Sequence, residues 1–197
     1  MMPTLIAITP GDGRQLSPWI VALGAAGLPA ILIREPGISP GLLADLAACA
    51  RRHIPTVYVH DRCIGARHLA TDGVHLSSTA DLALAPRPFG VSCHTADAVD
   101  RALAAGAAWA FWSPVWPPTS KPDDTRQTIG VTRFVSHAAG LPVYALGGVT
   151  PARHRALRAA GAHGTAVLGD LFGQPSPRDA ARRLERYSTA KMNTSGS

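Results

Sequence analysis

The chain has 197 residues, 46% of them hydrophobic and 16% charged, with a formal net charge of +6. That fits one globular domain able to bury a sizeable core, and no apolar run reaches the roughly 20 residues that span a bilayer. The positive balance comes from seventeen arginines and two lysines; the arginine clusters at 51–52, 153–158 and 178–186 lie on helical spacing without interleaved aromatics, so they read as solvated helix faces rather than as a nucleic-acid surface.

In chain order, the first element is the apolar run "LIAIT" (5–9), followed by "AILIRE" (30–35). The stretch 42–52, "LLADLAACARR", repeats its apolar residues every three to four positions and predicts an amphipathic helix. "TVYVHD" (56–61) and "GVHLS" (73–77) come next. "STADLALAPRP" (78–88) leaves room for only a short helix before "FGVSCH" (89–94). A helix over 96–106 is capped by Thr95 and closed by Gly106, and "WAFWSP" (109–114) follows it. Residues 112–130, "WSPVWPPTSKPDDTRQTIG", have no periodicity and read as a long loop. "PVYALGG" (142–148), a helix over 151–161 with Thr150 as cap and Pro151 in its first turn, and "TAVLGD" (165–170) complete the series.

Eight short apolar runs, continuous rather than alternating, suit strands buried on both faces. Alternating with helices in about 190 residues, they predict an α/β chain folded as a single compact (β/α)8 TIM barrel with a weak or short fourth helix. The domain is expected to cover 1–190, with 191–197 a disordered tail. Three cysteines, Cys49, Cys63 and Cys93, form no spaced framework, and "MMPTLIAITP" lacks the basic segment of a secretion signal. A cytoplasmic setting is therefore expected.

Barrel chemistry belongs to the loops after the strands' C-terminal ends. Those ends carry Thr9, Arg34, Glu35, His60, Asp61, His75, Ser77, Ser92, His94, the loop 113–130, Gly147, Gly148 and Gly169. Glycines after strands seven and eight let backbone N–H groups approach an anion, where a helix N-terminus adds a favourable dipole. Lys121, one of only two lysines, can supply a mobile charge to a second anionic group. Histidine suits proton transfer near neutrality, and His60, His75 and His94 all stand at strand ends.

The ordered series "IREPG", "VYVHDR", "DGVHL", "GVSCHT", "SPVWPPTSKP", "VYALGGVTP" and "GAHGTAVLGDLF" resembles the thiamine phosphate synthase and TenI family of thiamine biosynthesis. The resemblance implies a (β/α)8 barrel that binds a thiazole phosphate. One branch joins a pyrimidine pyrophosphate to thiazole phosphate with magnesium; the other isomerises a thiazole carboxylate phosphate. It implies substrate-binding roles for Arg34, Ser92, Ser120, Gly130, Gly147, Gly148 and Gly169, a pyrophosphate-facing role for Lys121, and magnesium at Asp61 in a synthase.

The chain departs from the synthase pattern in four places. Leu32 and Pro36 replace a polar residue and a lysine around strand two. His60 replaces an asparagine before Asp61. Ser77, Ser78, Thr79 and Ala80 replace the strand-four run that ends in a second magnesium carboxylate, which only Asp81 could restore. Pro118 and Ser120 stand in the otherwise threonine-rich part of the loop. The hydroxylic "LSST" and the valine–histidine of "VYVHD" resemble TenI instead, whereas Pro114 stands where TenI proteins carry a catalytic histidine.

The leading expectation is a TenI-like thiazole tautomerase using His60, His94 and Lys121 without metal or other cofactor. The alternative is a magnesium-dependent thiamine phosphate synthase. A third reading is a non-catalytic thiazole- or thiamine-phosphate binder. The expected partner is a small phosphorylated thiazole, with no nucleic acid and no membrane; a homo-oligomer is compatible with the sequence.

Overall fold

All eight apolar runs form strands. The computed structural model of the protein describes residues 1–116, 128–137 and 140–188. The strands are β1 (Leu5–Ile8), β2 (Ala30–Ile33), β3 (Thr56–His60), β4 (Gly73–Leu76), β5 (Phe89–Cys93), β6 (Trp109–Trp112), β7 (Val143–Ala145) and β8 (Gly164–Val167). Each pairs in parallel with the next, and β8 returns to β1, so the sheet closes into a barrel. Closure removes both sheet edges and puts every strand between two apolar layers, which is why the runs are continuous.

The two layers separate cleanly. Ile6, Ile8, Ala30, Leu32, Tyr58, Trp109, Phe111, Tyr144 and Ala166 form one buried cluster, the filling of the barrel. The alternate strand residues, among them Ala7, Ile31, Ile33, Val57, Val59 and Trp112, join the helices' apolar faces in a second, larger cluster. Trp109 dominates the filling. A Cβ on Gly90 would lie 2.0 Å from its indole, and one on Gly73 2.7 Å from it, so two neighbouring strands carry glycine where the ring lies.

Around the barrel run α1 (Ser17–Ala25), α2 (Pro40–His53), α3 (Ala96–Ala104), α4 (Val131–His137), α5 (Pro151–Ala159), α6 (Gly169–Phe172) and α7 (Pro177–Ser188). The expected caps form: Thr95 Oγ1 accepts from Ala98 N at 3.2 Å and Thr150 Oγ1 from Arg153 N at 3.4 Å. The fourth crossover holds only a 3-10 turn, Leu82–Leu84, and the third is equally short, Ala66–His68. α1 packs against both α2 and α7.

The three cysteines are free and buried. Among the described residues no helix is long and apolar enough to cross a membrane. The proposed tail, 191–197, lies outside the described residues.

Candidate active site

The β7 exit turns on two glycines with positive φ, Gly147 (98°) and Gly148 (61°). A side chain at Gly147 would also press on Pro114 Cα at 3.1 Å and the Trp116 carbonyl at 3.3 Å, so glycine is required there for both conformation and space. These residues, with Val149, Thr150, Leu168, Gly169 and Asp170, line a cavity of about 230 Å³. The backbone N–H groups of Gly148, Val149, Gly169 and Asp170 donate to no described residue. α5 and α6 both begin at this point, so orphan donors and two helix N-termini converge on one cavity, an arrangement suited to a phosphate group. Gly130 joins β6 to α4: its N–H donates to the Val115 carbonyl, and its carbonyl accepts from Phe134 N in the first turn of α4.

In an eight-stranded closed barrel, β3 and β4 lie across from β7 and β8. The exits of β2 to β5 place the remaining candidates. Arg34 N donates to Thr9 Oγ1 at 2.8 Å, and the Arg34 guanidinium lies beside Gly11. Its neighbour Glu35 is buried and serves the structure, since Oε1 accepts from Gly11 N at 2.9 Å and so braces the β1–α1 loop. Asp61 Oδ2 accepts from both the backbone N and the Oγ of Ser77, each at 3.0 Å. Burial raises the Asp61 pKa, but hydrogen bonds from His60 and Ser77 outweigh it and hold the carboxyl at about 2. Asp61 is therefore an anion throughout the neutral range.

His60 Nδ1 stands 2.8 Å from Asp61 Oδ1 and 3.2 Å from Arg62 N. Protonated, it serves the carboxylate; unprotonated, it accepts the Arg62 N–H. His94 Nδ1 donates to the Ser113 carbonyl at 2.9 Å. His75 is fully buried, and burial drives its pKa well below the ordinary histidine value, so the ring is neutral. His75 Nε2 is 3.0 Å from Ser92 Oγ, and Trp109 Nε1 donates to His75 Nδ1 at 3.1 Å.

Asp61 Oδ1 is buried, and its near neighbour is His60 Nδ1 at 2.8 Å, out of hydrogen-bond alignment. A carboxylate oxygen is the ligand chemistry magnesium takes; holding the ion here would need His60 to turn aside and substrate phosphates to complete the shell. A second carboxylate does not join it. Asp81 is exposed and caps the 3-10 turn Leu82–Leu84, with Oδ1 accepting from Ala83 N at 2.9 Å. One carboxylate oxygen is engaged by its own turn, and no described contact joins Asp81 to Asp61. Among the described residues no cluster of three or more His, Cys, Asp or Glu side chains could hold a metal. Lys121 and Ser120 lie outside the described residues.

Two features escape sequence reasoning. Arg153, in the first turn of α5, lines the cradle, donates to the Gly148 carbonyl and lies 5.0 Å over the Trp116 ring. A signal for it exists: an arginine at a helix start opposes the helix dipole and is explained by an anion nearby. Asp170, at the start of α6, is held by Arg183 at 2.6 Å and 2.8 Å and by Tyr187 Oη at 2.7 Å. These contacts tie the cradle to α7, and no local sequence pattern announces them.

Comparison with known proteins adds the family. A family model described as thiamine monophosphate synthase matches residues 5–171. The thiamine-phosphate synthase of Methanoregula boonei is 36% identical over 195 residues, covering 92% of this chain and 90% of that protein. The thiamine biosynthesis bifunctional protein ThiM/ThiE of Symbiobacterium thermophilum is also 36% identical, but the chain spans only 42% of its length. Among solved structures, a thiamine phosphate pyrophosphorylase from Pyrococcus furiosus superposes with a TM-score of 0.80 over 94% of this chain and 93% of that one, at 21% identity. The cradle and the strand-end side chains thus sit on a fold and a sequence shared with these relatives, and the chain belongs to the thiamine monophosphate synthase family.

Proposed function

We propose that the protein is a thiamine-phosphate synthase, joining a pyrimidine pyrophosphate to a thiazole phosphate and releasing pyrophosphate. The observation that carries this reading is the two-sided rim: an orphan-donor cradle at β7 and β8, and an ionised Asp61 with Arg34 and Ser92 at β2 to β5. Two anionic substrates need two such sides. The relatives' names, thiamine-phosphate synthase over nearly their full length, support it, and they favour it over the tautomerase expected from the sequence.

In this reading Gly147, Gly148 and Gly169 hold the thiazole phosphate through backbone N–H groups. Arg34 supplies fixed positive charge to the pyrophosphate, and the Asp61 carboxylate would hold magnesium. Magnesium, when bound, neutralises charge on the departing pyrophosphate. Lys121 and Ser120 keep the pyrophosphate-facing role implied by the resemblance. Lys121→Ala weakens pyrimidine pyrophosphate binding by roughly 1–3 kcal/mol, the cost of one charge-assisted hydrogen bond.

One observation favours a tautomerase as second reading. Ala80 stands where a synthase carries its second carboxylate, and Ser77 donates twice to Asp61, leaving a single acidic ligand. Paired assays separate the two. One supplies pyrimidine pyrophosphate, thiazole phosphate and magnesium; the other supplies thiazole carboxylate phosphate alone. The synthase reading expects thiamine phosphate in the first, abolished by chelator, and no isomerisation in the second. Isomerisation alone, insensitive to chelator, establishes the tautomerase. Phosphate-ligand binding without turnover in either assay identifies a non-catalytic binder.

A further inference from the structure

Ser92 and His75, 3.0 Å apart, have the spacing of a serine nucleophile and its histidine base. The third member of the group excludes that role. Indole nitrogen only donates, and Trp109 Nε1 points at His75 Nδ1 at 3.1 Å. Nδ1 must therefore carry a lone pair. A doubly protonated ring would set two N–H groups against each other, so the ring is neutral with its one proton on Nε2. That proton lies on the Ser92 hydroxyl oxygen, and His75 has no lone pair left with which to take a proton from serine.

The polarity then propagates. Ser92 Oγ accepts from His75, which turns the serine O–H away from the ring. Ser92 is half-buried at the exit of β5, and its O–H donates to no described residue. We propose that Trp109 and His75 are positioning residues of a one-way donor relay that fixes the direction of the Ser92 hydroxyl, so that Ser92, whose substrate-binding role the resemblance already implies, can act only as a hydrogen-bond donor toward the bound pyrophosphate. The last step rests on the synthase reading; the direction of the relay does not. The arrangement also accounts for glycine at position 90, which makes room for the indole that starts the relay, and contributes to glycine at 73, where the Pro88 carbonyl crowds as well.

The relay is tested on the full-length protein by three measurements. Long-range proton–nitrogen NMR of histidine-labelled protein reads the tautomer directly. His75 is expected with a protonated Nε2 and a bare Nδ1, unchanged between about pH 5 and pH 8, the range in which an ordinary histidine changes charge. A protonated Nδ1 or a cationic ring overturns the relay. Second, a fluorophosphonate probe of nucleophilic serines should leave Ser92 unmodified; an adduct there overturns it. Third, in the synthase assay Trp109→Phe, which removes the N–H and keeps an aromatic ring, should lower kcat about tenfold, a typical loss for one positioned hydrogen bond. His75→Gln, whose amide can still donate to Ser92, should retain kcat within about threefold of wild type. Wild-type kcat in a folded Trp109→Phe protein overturns the functional step. If the wild type itself makes no thiamine phosphate, the synthase reading fails, and the first two measurements still decide the relay.

Discussion

Gly147 and Asp61 set the limits of the site at the scale of single residues. Gly147 has φ 98° and backbone atoms of Pro114 and Trp116 within 3.3 Å of where a Cβ would stand. Gly147→Ala should therefore destabilise the fold by roughly 1–3 kcal/mol, read from denaturant unfolding. Gly148→Asp acts differently: it places a carboxylate where a phosphate is expected. Calorimetric titration with thiazole phosphate should show binding lost in a protein that still folds, the positive φ adding only a modest fall in melting temperature because aspartate tolerates that conformation better than most residues. Asp61 carries a pH prediction. Its folded pKa, about 2, lies below its ordinary 3.8, so its contribution is present above pH 4 and disappears as pH falls through about 2. The shift corresponds to roughly 2 kcal/mol. Unfolding free energies of wild type and Asp61→Asn should converge on acidification across that window and stay apart above it.

At the scale of elements, the cradle depends on helices that hold it from behind. Asp170 takes three hydrogen bonds from Arg183 and Tyr187, so α6 is fixed to α7. Asp170→Ala leaves the largely buried Tyr187 hydroxyl without its partner, which should cost about 1–3 kcal/mol in stability and loosen phosphate binding as well. Which elements the sequence revealed follows from how each is buried. Strands lie between two apolar layers and show as continuous runs. α2, α3 and α5 have one wet face and show the helical period. α1 contacts both α2 and α7, so "SPWIVALGA" is apolar nearly all round and its period is invisible. α4 and α6 are seven and four residues long, too short to display a period. The same logic applies to the site. The placement of Gly147, Gly148 and Asp61 on one rim of the barrel was legible because strand ends are fixed by the fold. The tautomer of His75 was not, because it is set by Trp109, 34 residues away in sequence. The setting of Asp81 was not legible either, because a carboxylate near the right position says nothing of the turn that engages it.

For the whole molecule, the net charge of +6 has a kinetic meaning. Both proposed substrates are polyanions, and a cationic surface raises their encounter rate through long-range attraction. Arg153 at the cradle and Arg34 across the rim continue that field into the site. The specificity constant kcat/KM for thiazole phosphate should fall as salt rises from about 0.05 M to 0.5 M, as screening shortens the reach of surface charge to a few ångströms, while kcat at saturation changes little. A parallel fall in both would place the salt effect on the chemistry instead.

The indole of Trp109 rests on Gly73 and Gly90, and this constrains which substitutions the barrel interior can accept. With tryptophan at 109, a side chain at Gly90 or Gly73 meets the indole, and at Gly73 it also meets the Pro88 carbonyl at 2.8 Å. Positions 90 and 109 are therefore coupled: the cost of a change at one depends on the residue at the other. Gly90→Ala should be ruinous in the wild type, yet tolerated when position 109 carries alanine, so that the double variant is more stable than the sum of its parts predicts.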